Sequence, residues 1–401
     1  MKLALSFFTA LLLATSALAA PVAKNFEEAL AQGKVSLNAR LRYEAVEQTG
    51  LRDSSAFTLR TRLGFTTAPL DGWQAMLEVE NIVAANPDGY NQAGLKPGGA
   101  GRAVIADPTG TEINQAFLSR SNGHTNAALG RQRFVLDNHR FIGDGGFRQN
   151  LQTFDALVVS DKSLDKTTLT YAYLWRINRT FGNRHPQGVF DSNSHVLHAA
   201  YAGLPAGTLT GYAYLLDFDN SPANSCATYG ASFVGTAKIS AAVKAAYRAE
   251  FATQSDYGSS TLDYTARYSS LEAGLVITEG SLTLGQEILG SNGSVGFKTP
   301  LATLHPFNGW ADLFLATPAA GLRDTYLKGT ANLPEKISLT AYWHDFNTDR
   351  GNTNLGREFD ASLSRKFGKF TTVLVKYARF DRDALTLPDV RKIWVQIDFI
   401  Y

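Results

Sequence analysis

The chain reads as an all-β protein, a transmembrane antiparallel β-barrel of about eighteen strands with short periplasmic turns and longer external loops. Three observations predict this. Residues 391–401 alternate without a break, placing Ile393, Val395, Ile397, Phe399 and Tyr401 on one face and Lys392, Trp394, Gln396 and Asp398 on the other. Because a strand projects successive side chains to opposite faces, one face is greasy and the other largely polar. Similar segments recur along the chain, near the roughly 9–11 residues that cross a bilayer as a tilted strand. Finally, short and long connections alternate, a parity that a soluble sandwich has no reason to keep.

The first segment begins at Lys34, with Val35, Leu37, Ala39, Leu41 and Tyr43 outward and Asn38, Arg40, Arg42 and Glu44 inward. Next, Phe57, Leu59, Leu63 and Phe65 oppose Arg60 and Arg62, and then Trp73, Ala75, Leu77 and Val79 oppose Gln74, Glu78 and Glu80. Leu169, Tyr171, Tyr173, Trp175 and Ile177 oppose Thr170, Arg176 and Asn178; Val243, Tyr247 and Phe251 oppose Lys244, Arg248 and Glu250. Ile337, Leu339, Ala341 and Trp343 form another outward face. Phe359, Ala361 and Leu363 oppose Glu358, Asp360 and Ser362, and Val373, Val375 and Tyr377 oppose Lys376. Less regular alternation fills 111–120, 125–135, 149–160, 194–203, 207–217, 227–238, 261–277, 281–290 and 321–331. Pro69-Leu70-Asp71-Gly72, Ser121-Asn122-Gly123 and Leu204-Pro205-Ala206-Gly207 are short turns, as are Pro334-Glu335 and Gly368-Lys369. The long connections are 86–110, 136–148, 180–193, 218–226, 291–320 and 348–355, rich in Gly, Pro, Asn and Asp.

The N-terminus supplies a compartment. Lys2, an apolar run over 3–13 and Ala17-Leu18-Ala19 have the layout of a cleaved secretory signal over 1–19, leaving 20–401 as the barrel domain. The run is shorter than the roughly 20 residues of a membrane helix. Tyr401, as a terminal aromatic, resembles the C-terminal signal of Gram-negative outer-membrane barrels. Both features place the chain in the outer membrane, in contact with its lipid.

Composition excludes several classes. A single cysteine, Cys226, permits neither an intramolecular disulfide nor a cysteine-based zinc site. The formal charge of +2 gives no nucleic-acid footprint. A catalytic reading, such as a barrel lipid hydrolase, needs a nucleophile, a base in reach and an orienting group, and no Gly-x-Ser-x-Gly elbow is present. His195 and His198 straddle two strand faces, which argues against one metal site. Neither a cofactor nor a metal is expected. The stretch between Ala20 and Lys34 is too short for the plug of the larger transporters.

Two dense motifs lie on long connections. The first is Gly130-Arg131-Gln132-Arg133-Phe134 with Asp137-Asn138-His139-Arg140-Phe141-Ile142-Gly143, Arg148-Gln149-Asn150 and Gln152-Thr153-Phe154-Asp155-Ala156. The second is residues 300–312, from Pro300 through Asn308-Gly309-Trp310-Ala311-Asp312, with Thr317-Pro318 and Gly321-Leu322-Arg323-Asp324. These runs resemble the bacterial alginate export family. The resemblance implies an eighteen-stranded monomeric barrel passing an anionic polysaccharide, with an arginine-rich constriction, no catalysis and periplasmic export components as partners. The chain is short for that family, which points the substrate towards small anionic solutes or organic acids through a general porin.

Eighteen strands enclose more space than their own side chains fill, so a water-filled channel narrowed by loops is expected. Arginine outnumbers lysine 23 to 15, and its fork grips a carboxylate through two parallel hydrogen bonds. The candidate pore-lining residues are Arg40, Arg42, Arg60, Arg62, Arg131, Arg133, Arg140, Arg148, Arg176 and Arg248. The alternative is that such arginines pair with Glu78, Glu80, Asp137 and Asp155 to stiffen the wall. Asp137, Asn138, Phe141, Trp310 and Asp312 belong to the motif loops. The 136–148 segment either folds into the pore or stays external, and the second motif is expected at the barrel mouth with Trp310 anchored by packing or stacking on sugar.

Overall fold

The alternating segments become eighteen strands in a computed structural model that describes residues 22–401. In chain order they are β1 (Lys34–Gln48), β2 (Ser54–Thr66), β3 (Trp73–Ala84), β4 (Gly110–Ser121), β5 (Thr125–Gln132), β6 (Thr153–Asp161), β7 (Thr167–Asn178), β8 (Val189–Leu204) and β9 (Gly207–Leu216). They continue as β10 (Cys226–Lys238), β11 (Lys244–Ser255), β12 (Thr265–Ile277), β13 (Gly280–Leu289), β14 (Leu322–Leu333), β15 (Ile337–Asn347), β16 (Asn354–Phe367), β17 (Thr371–Arg382) and β18 (Val390–Ile400). The signal expected over 1–19 lies outside the described residues.

Each strand pairs antiparallel with its sequence neighbours, and β18 returns to β1, so the sheet closes on itself. The closing register sets Ala39 opposite Phe399 and Gln48 opposite Val390. Leu37 and Tyr401 extend it through two backbone hydrogen bonds of 3.0 and 2.8 Å. No edge is left to template aggregation.

Facing follows parity. On β1, Arg42 is 1% exposed while the adjacent Tyr43 is 41% exposed. Leu63, Leu77, Leu129, Leu284, Trp343 and Val375 all stand exposed on the outer surface. An apolar exterior of this extent suits lipid rather than water. Among the described residues no helix is long and apolar enough to cross a membrane; the strands form the wall.

The six expected long connections all lie at one end of the barrel and the short turns at the other, together with the chain termini. Alternation missed the turns at 162–166 and 239–243 and the loops at 256–264 and 383–389. The reason is chemical for 239–243, where Ile-Ser-Ala-Ala-Val offers neither Gly nor Pro. A helix, α1 (Phe26–Ala31), lies at the short-turn end. Its N-cap Asn25 accepts from Glu28 N at 2.8 Å, and Ala29 packs with Ala23 and Ala68.

Candidate functional site

Two long loops leave the rim and descend into the lumen. The first, residues 133–152 between β5 and β6, touches wall strands around much of the interior. Near its start Asp137 meets His198 Nε2 on β8 at 3.0 Å. Phe141 then inserts among Tyr212, Tyr214, Tyr268 and Phe297, with ring centroids 5.2 to 6.0 Å away. Arg140 beside it makes a bidentate pair with Glu287 on β13, at 2.7 and 3.1 Å. Further on, Phe147 lies under Arg42, whose Cζ is 4.3 Å from its ring centroid. Arg148 reaches Glu44 at 3.2 Å, and the Gln149 carbonyl accepts from Arg60 at 3.4 Å and Arg62 at 2.9 Å. The 136–148 segment therefore folds into the pore.

The second loop, residues 290–321 between β13 and β14, is fastened to the first. Gly143 N donates to Leu301 O at 2.8 Å, and Thr303 N to His139 O at 3.0 Å. A Cβ on Gly143 would fall onto the Thr303 side chain and amide, so only glycine permits this approach. Arg148 joins Asp312 at 2.8 Å, and Asp312 also meets Lys392 at 2.8 Å and His305 Nδ1 at 2.8 Å. His305 stacks on Phe147 at 3.8 Å between centroids. Ala311 N and Trp310 N donate to Glu358 at 2.6 Å and Asp360 at 3.1 Å.

Charge sets the protonation of these loop groups. Burial alone would raise the Asp312 carboxyl, but Lys392, His305 and Arg148 hold it well below the usual carboxylate range. Burial first, and Lys376 next, push the His305 imidazole well below its ordinary value. Burial opposes the charge of Arg148, yet Glu44, Asp312 and Asp107 keep it firmly protonated. Asp144 is lowered, because Arg133 outweighs its burial.

The predicted residues distribute unevenly. Arg40, Arg42, Arg60 and Arg62 face inward on β1 and β2, and each touches the first loop. Most predicted arginines have an acid: Arg40 with Asp398 at 2.7 Å, Arg42 with Asp107 at 3.2 Å, Arg62 with Glu80, Arg133 with Asp144, and Arg248 with Glu250 at 2.5 Å. Arg60 bonds Asn38 at 2.6 Å; among the described residues no carboxylate lies in ion-pair reach of it. Asn138 Oδ1 turns the loop by accepting from Arg140 N at 3.3 Å.

Two placements are corrected. Arg131 and Arg176 face the outside of the barrel, not the pore. A β-bulge between Leu174 and Arg176 inserts one residue and switches the face of everything beyond it. Ile177 is consequently buried inside, while Arg176 points out towards Asp191 at 3.9 Å. Arg131 shares the parity of exposed Leu129 and pairs with Asp155 at 2.7 and 3.0 Å. The 300–312 motif lies inside the lumen rather than at the mouth, and Trp310 is buried between Tyr342 and Lys376, whose Nζ is 3.5 Å from its centroid. Both ring surroundings are occupied, so stacking on sugar is not its role here. Gln149, Thr303, His305 and Glu287 were missed as site residues, although the first three sit within or beside the dense motifs.

No family model matches the chain, and no curated protein matches its sequence. Solved structures do match the fold. OccAB2 of Acinetobacter baumannii superposes with a TM-score of 0.73 at 14% identity, covering 93% of this chain and 99% of that one. OccK9 (OpdG) of Pseudomonas aeruginosa gives 0.73 at 13% identity, covering 93% and 100%. OpdK of Pseudomonas aeruginosa, crystallised with vanillate, gives 0.69 at 13% identity, covering 93% and 99%. These are Occ and Opd porins, barrels of eighteen strands. The fold is thus that of the Occ and Opd porins, and the resemblance to the alginate export family is overturned. Polysaccharide passage and periplasmic export components rested on that resemblance and lose its support. The dense motifs instead mark the two loops that must turn, approach closely and ion-pair inside a barrel.

Proposed function

We propose that the protein is an outer-membrane porin for passive diffusion of small organic acids. The observation that carries this reading is a segregation of charge around the narrowed lumen. On β1, β2, β17 and β18 the inward cations are Arg40, Arg42, Arg60, Arg62, Lys376 and Lys392, joined by Arg148 from the first loop. Against these stand Glu44 and Asp398 on β1 and β18, whereas β12, β13, β14 and β16 carry the acids Glu272, Glu287, Asp324, Glu358 and Asp360 with Lys328 among them. An anion entering this lumen is drawn to one arc and repelled from the other. Arg40 and Arg148 keep 14% and 13% of their side chains accessible, which lets a carboxylate add to their existing pairs. The vanillate bound to OpdK is an aromatic carboxylate and supports the same solute class.

Reversal potential in a planar bilayer under a salt gradient tests the reading. The unmutated channel is expected to prefer anions, and R40Q to lower that preference. Proteoliposome swelling should be faster with vanillate than with a neutral phenol of similar size. A cation preference, or equal rates for the two solutes, would refute the proposal.

A further inference from the structure

The arginines on the outer surface are not scattered. Arg267, Arg323, Arg357, Arg379 and Arg391 sit near the long-loop ends of β12, β14, β16, β17 and β18. Each shares parity with lipid-facing residues such as Leu271, Leu327, Phe359, Val375 and Ile393. No lysine occupies an outward strand position at this end among the described residues. Lysines instead gather at the short turns, as Lys162, Lys166, Lys336, Lys366 and Lys369. The short-turn end also carries outward arginines, Arg120 over Trp73 and Arg365 with Glu335, so what distinguishes the long-loop end is that its outward strand cations are arginine alone.

Strand register makes the row continuous. Glu47 lies opposite Arg391, Arg391 opposite Arg379, Arg357 opposite Asp381, and Asp345 opposite Arg357. Arg379 and Arg391 are therefore like charges placed directly across a strand pair, an arrangement that is destabilising unless an anion lies between or above them. Each leans away to an acid, Asp381 at 2.9 Å and Glu47, yet more than half of both side chains remains exposed. Both stand on the lipid-facing parity near the long-loop end, beside the zone just beyond the apolar belt. In an outer-membrane barrel the long-loop end faces outward, and that zone holds lipid headgroups. Guanidinium rather than ammonium is the group suited to bidentate capture of phosphate.

We propose that the Arg357, Arg379 and Arg391 stretch of the outer wall binds the phosphates of lipid headgroups in the extracellular leaflet. The site rests on the outer-membrane placement proposed above but not on solute selectivity, so either can fail alone. Native mass spectrometry of the detergent-solubilised full-length barrel, with bisphosphorylated lipid A as probe, tests it. Retention of lipid A is expected, with at least a tenfold loss in R379Q/R391Q and no loss in K366Q/K369Q. Dephosphorylated lipid A should not be retained, and inorganic phosphate at equal concentration should not compete. Unchanged heat-modifiability and single-channel conductance of R379Q/R391Q establish that the barrel is folded, since these residues lie outside the lumen. Equal retention of the dephosphorylated lipid, undiminished binding by R379Q/R391Q, or displacement by free phosphate would overturn the proposal.

Discussion

Arg60 and Arg148 show how differently two buried arginines behave. Arg148 bridges Glu44 and Asp312 at once, so R148Q leaves Glu44 with only Arg42, 3.9 Å away, while Asp312 keeps Lys392. Breaking such a buried pair costs roughly 3–5 kcal/mol, and this cost falls on loop docking because Arg148 belongs to the loop. Single-channel recording of R148Q is expected to show larger, noisier conductance than the parent. Arg60 bonds only neutral oxygens, so R60Q leaves no orphaned charge. Its cost is nearer that of lost hydrogen bonds, about 1–3 kcal/mol, and the urea midpoint should move less than for R62Q, which abandons Glu80. Alternation alone made Arg60 and Arg62 legible as inward. It could not see that Arg176 faces out, because the bulge beside it leaves no mark in a pattern of period 2, whereas Arg131 keeps the outward parity of Leu129.

At the scale of elements, the two lumen loops act as one unit. Gly143 lies against Thr303, so G143V should separate the loops without disturbing the strands. The measurable outcome is increased conductance together with unchanged circular dichroism. Protonation attacks the same junction. Since His305 is held well below its ordinary value of 6.5, the undocked loop takes up the proton first. Docking is then complete above about pH 6.5 and weakens as pH falls below it. Asp312, also depressed, adds a further loss only below its ordinary 3.8. Conductance noise should therefore rise on acidification, and H305N should flatten that rise between pH 6.5 and 4. The dense motifs were visible in the sequence, but their place in the lumen was not. Strand periodicity fixes walls, while a loop's course depends on partners such as His198, Glu287 and Glu358 that lie far away in the chain.

For the whole molecule, eighteen antiparallel strands and their closure were legible because lipid outside and water inside impose one alternation on every strand. The sorting of charge around the lumen was not, since composition only showed that cations and anions nearly balance. Sorting emerges once register sets the cationic arc from β17 to β2 against the acidic arc from β12 to β16. Raising salt should therefore weaken anion preference, because accessible groups are screened within about 10 Å at 0.1 M. Reversal potentials at 0.05 and 1 M salt check this. The height of the wall is uneven as well: β5 has 8 residues and β6 has 9, against 16 in β8. At about 3.4 Å per residue and a tilt near 40°, β5 rises only roughly 20 Å, less than the usual apolar band of about 25 Å. The bilayer must thin locally beside β5 and β6, where Arg131 and Asp155 face out, so the protein carries its own dimple in the membrane and will favour thinner bilayers on that flank.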